Sequence, residues 1–382
     1  MKFLQMRNLF ISILTILVFG LSSNIFSAPI PKAPNPDVSS YIIIDYDSGM
    51  TIASKNPQLV LPPASITKIM TSYIVFTELK NNTLNLNDKV LVSKKAWKTG
   101  GSKMFIEVGK KVSVSDLLHG IITSSGNDAS VAMAEHISGD EETFAIYMNQ
   151  MADNLGLQNT GYANSTGLPD DALYTSAEDI AILSRALIKD FPTQYKRYSQ
   201  KQYVYNEIKQ YSRNKLLYLD DTVDGIKTGY TKKAGYCLVS SAKRGKRRLI
   251  AVVMGAKNPD LRTSASKSLL EYGFRFFETH KIYNQNETVS QARLFDGEKR
   301  EIAVGVKEDT YISIPRRQIK NVKKKYIIDK NLTAPIDKDQ AIGYVAIELE
   351  GKTLTTIKLF AMESVAEGGL YRKTMDSILK NF

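Results

Sequence analysis

A single cysteine, Cys237, is the feature that most restricts this chain, because no internal disulfide can form and the fold must stand on its apolar core alone. With 382 residues and 43% hydrophobic content that is feasible, and the length suits roughly two domains. The restriction matters because the start of the chain points out of the cytoplasm. Residues 1–28 carry Lys2 and Arg7, an apolar run from Leu9 to Leu21, and the small residues Ser22, Ser23, Ser27 and Ala28, the layout of a secretory signal peptide. Pro29, Pro31, Pro34 and Pro36 follow and argue against a buried core helix there. Removing that segment takes away only two cations, so most of the net charge of +12 stays with the mature chain. An exported protein with this charge suits acidic lipid or acidic polymer as partner, and a nucleic-acid role does not fit. His119, His136 and His280 are scattered, with none of the close spacings of a zinc site, so neither a metal nor a cofactor is expected.

Local patterning predicts a sheet flanked by helices. Tyr41 to Tyr46 and Met50 to Ala53 flank Asp47-Ser48-Gly49, which reads as a hairpin. Pro62-Pro63 then opens a nearly all-apolar helical run from Ser65 to Leu79. Helical spacing recurs over 116–123, 128–137, 141–155 and 176–188, with Gly156 as a C-terminal stop after Asn154-Leu155. Strand character returns at Val223 to Lys227, and Tyr236 to Ser241 with Leu249 to Met254 flank the polar turn Lys243 to Lys246. An amphipathic helix over Ser264 to Thr279 returns to the sheet. Past about Asn284 the texture becomes short alternating runs punctuated by glycine and proline, a separate small β domain. Arg316, Arg317, Lys320, Lys323, Lys324 and Lys325 crowd one stretch of it, either a solvated face or an acidic-surface contact. The last residues put Tyr371, Met375, Ile378, Leu379 and Phe382 on one helical face; the segment is too short to span a bilayer but suited to lie in its headgroup layer.

Three short motifs carry the chemistry. Ser65-Ile66-Thr67-Lys68 is an S-x-x-K, a pattern that also starts at Ser212, Ser240, Ser264 and Ser377. Only the first begins the most apolar helix of the chain, where a buried lysine loses proton affinity and can act as base toward a hydroxyl on the same face. Ser125-Gly126-Asn127 sits between helical runs and offers a hydroxyl that could relay a proton and an amide that could orient a peptide group; a polar cap and turn is the plain alternative. Lys227-Thr228-Gly229 lies on a predicted strand before a hairpin. It supplies a cation, a hydroxyl for a carboxylate, and at Gly229 room for extended substrate to approach backbone. The plain alternative is an ordinary strand end. The second copy, Lys98-Thr99-Gly100, lies in a glycine-rich turn.

In this order and context the motifs match the set of penicillin-binding proteins and class A β-lactamases. The chain resembles a low-molecular-mass penicillin-binding protein, a serine-type D-alanyl-D-alanine carboxypeptidase. Pro62-Pro63-Ala64-Ser65, Ser125-Gly126-Asn127-Asp128-Ala129, Val223 to Thr231 and Gly273 to Glu278 carry the resemblance, with Gly126 where the wider set has aspartate. It implies an α/β fold with an antiparallel sheet, helices and a helical subdomain, then a small all-β domain and a C-terminal amphipathic helix. The expected boundaries are signal peptide 1–28, catalytic domain 29–284, β domain 285–361 and membrane-anchor helix 362–382.

The resemblance also implies roles. Ser65 attacks the penultimate D-alanine carbonyl, Lys68 takes its proton, and Ser125 with Lys227 delivers a proton to the departing D-alanine. Backbone N–H groups of Ser65 and Tyr230 form the oxyanion hole, Asn127 holds the peptide beside Gly229, and Thr228 with Arg213 and Arg262 binds the terminal carboxylate. Implied partners are peptidoglycan stem peptides, β-lactams that acylate Ser65, and a membrane surface on the periplasmic face. A β-lactamase is the nearest rival, but no E-x-x-L-N segment for fast deacylation is present. A catalytically silent wall-associated scaffold is the other.

Overall fold

A computed structural model describes residues 31–379. The expected signal peptide therefore lies outside the described residues. Its central feature is a five-stranded antiparallel sheet of β1 (Ser40–Asp45), β2 (Thr51–Lys55), β3 (Val223–Thr231), β4 (Gly235–Arg244) and β5 (Arg247–Ala256), in the order β2-β1-β5-β4-β3. Strands covered on both faces read as continuous apolar runs. In β1 every residue is buried, and alternation sorts them: Ile42 and Ile44 enter one core, Tyr41 and Ile43 the other. Ile250, Val252 and Met254 of β5 join the first core, and Leu249, Ala251 and Val253 the second.

The first core is filled by helices inserted between β2 and β3. These include α1 (Lys68–Lys80), α2 (Asn127–Ser138), α3 (Glu141–Asn154) and α4 (Ala177–Asp190). Asp140 and Ser176 cap α3 and α4 by accepting from Thr143 N and Asp179 N, and Gly156 follows α3 in the left-handed conformation. Helix α5 (Pro259–Phe276) covers the second core, starting five residues earlier than its apolar spacing suggests because Asn258 caps Leu261 N and Pro259 opens the first turn.

Two expected helices are altered. The run from Ser65 is a 3-10 turn, Ala64–Thr67, before α1 begins at Lys68. The run after Asp116 ends as a helix at His119 and continues as a π-helical turn, Gly120–Ser124, so that the chain stops at Ser125 rather than flowing into α2.

The strand β6 (Phe277–Tyr283) leaves α5 and pairs with β9 (Thr310–Pro315), at the start of the carboxy-terminal β region. There β7 (Thr288–Arg293), β8 (Glu301–Gly305), β10 (Val322–Ile328), β11 (Ala341–Leu349) and β12 (Lys352–Ala361) form a second sheet, in the order β7-β8-β12-β11-β10, around a separate apolar core. The basic cluster lies on and before β10, an edge strand. Helix α6 (Leu370–Leu379) follows. Its buried Asp376 accepts from Asp296 N–H at 2.7 Å and pairs with Arg372, while Leu370, Tyr371, Met375, Ile378 and Leu379 are exposed. No helix among the described residues is long and apolar enough to cross a membrane.

Candidate active site

Ser65 owes its place to backbone geometry. Ala64 adopts a left-handed φ of 49°, and the loop 164–168 presses on it through Gly167. Gly167 has φ +84°, and a Cβ there would sit 1.9 Å from the Ala64 carbonyl oxygen, so only glycine permits the contact. In a 3-10 turn residues i and i+3 are eclipsed, which stacks Lys68 behind Ser65 with Nζ 3.3 Å from Oγ.

Lys68 is fully buried, and none of the described ion pairs includes it. Its Nζ lies 2.6 Å from Asn127 Oδ1 and 2.5 Å from the Thr166 carbonyl oxygen. Burial, with the charge of Arg213 as a smaller cause, pushes its pKa down to about 7. A neutral amine has two N–H donors and one lone pair. The two oxygens engage the donors, and the lone pair is left for the Ser65 hydroxyl.

Ser125 emerges from the π-helical turn with φ 61°, a strained conformation for a residue with a side chain, costing about 1 kcal/mol or more. Lys227 Nζ donates to its Oγ at 2.8 Å and to the Thr228 carbonyl at 3.2 Å. Burial, then the charges of Lys68, Arg213 and Arg262, hold Lys227 well below the ordinary lysine range. Asn127 starts α2 and ties Lys68 to the loop at Gly100: its Oδ1 accepts from Lys68 Nζ, and its Nδ2 donates to the Gly100 carbonyl at 2.7 Å. The orientation is fixed, since a carbonyl can only accept.

Around these groups opens a cavity of about 550 Å³. Ser65, Ser125, Asn127, Thr228, Gly229 and Tyr230 line it, as do both arginines. A Cβ on Gly229 would lie 3.0 Å from the Pro63 carbonyl, so this bare position lets β3 pass close to the Ser65 turn. Tyr230 stacks on Tyr236 at 4.2 Å. Arg213 donates to Ser102 Oγ at 2.7 Å, and the mostly buried Arg262 reaches the Cys237 carbonyl at 3.4 Å. The fold thus gathers Ser65, Lys68, Ser125, Asn127, Lys227, Thr228, Gly229, Tyr230, Arg213 and Arg262 at one cleft. Behind β3, Cys237 is fully buried, its thiol pushed up to about 11 by burial.

Several contributors escape motif reading. Thr166 acts through its carbonyl, held by an Asx turn in which Asn164 Oδ1 accepts from Thr166 N and Gly167 N. The cluster Asn164-Ser165-Thr166-Gly167 is a turn signal that could have marked this loop. Buried Asp128 accepts from the N–H groups of Met104, Phe105 and Ile106, pinning the loop that brings Gly100 and Ser102 to the cleft. The second K-T-G copy belongs to that loop, and its Gly100 carbonyl orients Asn127.

Comparison with known proteins places the chain in a family. The family model for D-alanyl-D-alanine carboxypeptidase matches residues 28–258, and that for the penicillin-binding protein 5 C-terminal domain matches residues 277–367. D-alanyl-D-alanine carboxypeptidase DacC of Escherichia coli is 42% identical over 359 residues, 92% of this chain and 90% of that protein. Crystal structures of penicillin-binding protein 5 from Haemophilus influenzae superpose with a TM-score of 0.85 at 41% identity, covering 88% of this chain and all of theirs (100%). Penicillin-binding protein D2 of Listeria monocytogenes, in its ampicillin-bound form, gives a TM-score of 0.59 at 29% identity over 63% of this chain and 100% of that one. The family match covers more than half of the chain, and the chain belongs to the D-alanyl-D-alanine carboxypeptidases, serine-type enzymes of the bacterial cell wall.

Proposed function

We propose that Ser65 is the nucleophile by which this chain removes the terminal D-alanine of peptidoglycan stem peptides. The observation that carries the proposal is the buried Lys68 amine, 3.3 Å from Ser65 Oγ, with two carbonyl oxygens engaging its donors. Ser65 Oγ attacks the penultimate carbonyl as its proton passes to Lys68. The developing oxyanion is received by the backbone N–H groups of Ser65 and Tyr230, each such donor worth about 3–4 kcal/mol in acyl transfer. The C–N bond then breaks, and the proton held by Lys68 and Ser125 reaches the departing nitrogen, with Lys227 supporting the Ser125 hydroxyl. Water completes the cycle by cleaving the acyl ester. Thr228, Arg213 and Arg262 hold the free carboxylate, and the second Nδ2 proton of Asn127 serves the peptide carbonyl. β-Lactams enter by the same attack, which the ampicillin-bound relative supports.

The same reading extends to the whole chain: a signal peptide over 1–28, a catalytic domain over 29–284, a β domain over 285–361 and a surface helix over 362–382, on the periplasmic face of the inner membrane. The exposed apolar residues of α6 support contact with a bilayer surface. The test is incubation with fluorescent penicillin alongside a D-alanine release assay on pentapeptide. Wild type forms a lasting adduct and releases D-alanine, whereas Ser65→Ala does neither while keeping its far-UV spectrum and melting transition. Release by Ser65→Ala would place the nucleophile elsewhere, and rapid label turnover would indicate a β-lactamase.

A further inference from the structure

The β domain carries a run of charge for which the catalytic cleft has no use. Arg316, Arg317, Lys320, Lys323, Lys324 and Lys325 are all exposed, and none of the described ion pairs includes any of them. Glu278, the acid at the turn, pairs with His280, and Glu348, opposite Lys323 on β11, forms no described pair with it. The stripe is held rigidly from within. Arg317 has φ 67°, in the left-handed region that a long side chain resists. That turn is fixed because Arg316 N–H donates to the Phe276 carbonyl and Arg317 N–H to Glu278 Oε1, both at 2.9 Å, with Gln318 buried behind them. Such outliers point to function when the surroundings over-determine them.

A 3-10 turn, Ile319–Asn321, carries Lys320 on to β10, which pairs with β11 in unbroken register from Val322 to Ile328. Lys323 and Lys325 stand with Glu348 and Ala346 on the face away from the core, because Val345, Ile347 and Leu349 face it. Lys324 leans to the other side, its Nζ 4.2 Å from the centroid of the buried Tyr283 ring. The outer edge of β10 is open: no backbone hydrogen bond outside the ladder is described for residues 323–328. A lysine or two suffices to keep an open edge from pairing with another sheet. That purpose does not account for Arg316, Arg317 and Lys320, which precede the strand.

We propose that the stripe is a second, non-catalytic contact to the substrate polymer, holding carboxylates of its stem peptides while the cleft works on one peptide end. The inference rests on the catalytic reading above, because that reading supplies the anion. Every stem the cleft accepts ends in a free carboxylate, so the polymer that bears the stems is a repeating array of negative charge. Single surface ion pairs are weak and screened, so the stripe acts by number. Two contacts to one polymer make the second intramolecular and raise the concentration of stems at the cleft. An acidic bilayer is the other polyanion at hand, and the fold argues against it. Helix α6 packs on the β7–β8 connection, where Asp376 accepts from Asp296 N–H and Arg372 reaches the Leu294 carbonyl. In the order β7-β8-β12-β11-β10 the stripe lies at the opposite edge, four strand spacings or about 19 Å away.

The test uses the full exported chain, acylated with penicillin so that the cleft is closed, and purified peptidoglycan sacculi. Wild type should co-sediment with sacculi at low salt and come free at about 1 M, where charge is screened beyond about 3 Å. Lys320→Glu/Lys323→Glu/Lys325→Glu should bind about tenfold more weakly at low salt, the scale of losing three surface ion pairs. Lys196→Glu/Lys246→Glu/Lys267→Glu makes the same change in net charge at exposed positions elsewhere and should bind as wild type does. Sacculi whose carboxylates have been amidated should no longer hold wild type. Before acylation, D-alanine release from a soluble pentapeptide should be equal in all three proteins, which also reports that each is folded. Equal binding by the two triple variants, or undiminished binding to amidated sacculi, overturns the proposal. So does a stripe variant that loses binding to anionic phospholipid vesicles while keeping its hold on sacculi, a result that assigns the stripe to the bilayer. Failure of wild type to take up penicillin sinks the catalytic reading instead, and labelling and sedimentation are separate measurements.

Discussion

The two apolar cores of the catalytic region and the core of the carboxy-terminal β region are made from the same residue types, yet they treat charge in opposite ways. Around the cleft the fold buries Lys68, Lys227, Asp128 and Arg262. In the β region the buried polar groups among the described residues are Ser313, Gln318 and Asp376. Withdrawing charge from water is costly, and the cost is accepted only where pairing or chemistry requires it. Asp128 is held by backbone N–H groups, and Asp376 by the Asp296 N–H and the Arg372 guanidinium, both structural uses. The two lysines face hydroxyls and carbonyl oxygens, and their lowered proton affinity is the useful product. Comparing the regions therefore separates groups that hold the fold from groups that act.

That separation can be broken by substitution. Replacing Lys68 with alanine should lower D-alanine release at least ~10³-fold, the scale for a member of a nucleophile–base unit. Leu359→Ala, in the β core where Leu359 is fully buried, should cost ~2–5 kcal/mol of stability by denaturant titration while the folded fraction acylates at the wild-type rate. Equal effects of the two on penicillin acylation rate would erase the distinction.

A smaller and graded effect should come from pH. Burial lowers the Lys68 pKa to about 7, so the neutral base accumulates above that value and is lost below it. Acylation by penicillin should fall about tenfold per pH unit on the acid side, with its midpoint near 7, and level off above. A midpoint near the ordinary lysine value would mean that burial does not lower the Lys68 pKa, and a rate flat across this range would mean that Lys68 is not the base. The smallest expected effect is removal of the chain from Gly369 onward. Partitioning should move from membrane to soluble fraction with kcat/KM for a soluble pentapeptide unchanged; loss of peptide cleavage would tie α6 to the site.

Much of this was legible in the residues because side-chain identity was enough. Buried strands such as 40–45 and 249–254 announce themselves by apolar runs on either side of a polar turn, and α4 by its spacing and Ser176 cap. The S-x-x-K and S-x-N segments open buried helices and the K-T-G segment lies within the buried strand β3, so the packing of these elements brings the three together. What escaped reading acts through backbone or tertiary contact. Thr166 and Gly100 work through carbonyls, which every residue has. The 3-10 turn at Ser65 follows from the press of Gly167 on Ala64, two residues a hundred positions apart. The short hairpin of Gln202–Tyr205 and Ile208–Tyr211 exposes most of its side chains, leaving no apolar alternation to find.

The lone thiol has a practical corollary. Cys237 is sealed behind β3 and protonated at any ordinary pH, so it is inert to alkylating reagents and to air. A second cysteine engineered on the surface would be the molecule's sole reactive handle, with no need for a cysteine-free background. Spectroscopic labels could then be set on the 100–106 loop or on α6 one at a time, and motion at the cleft followed separately from the surroundings of the carboxy-terminal helix.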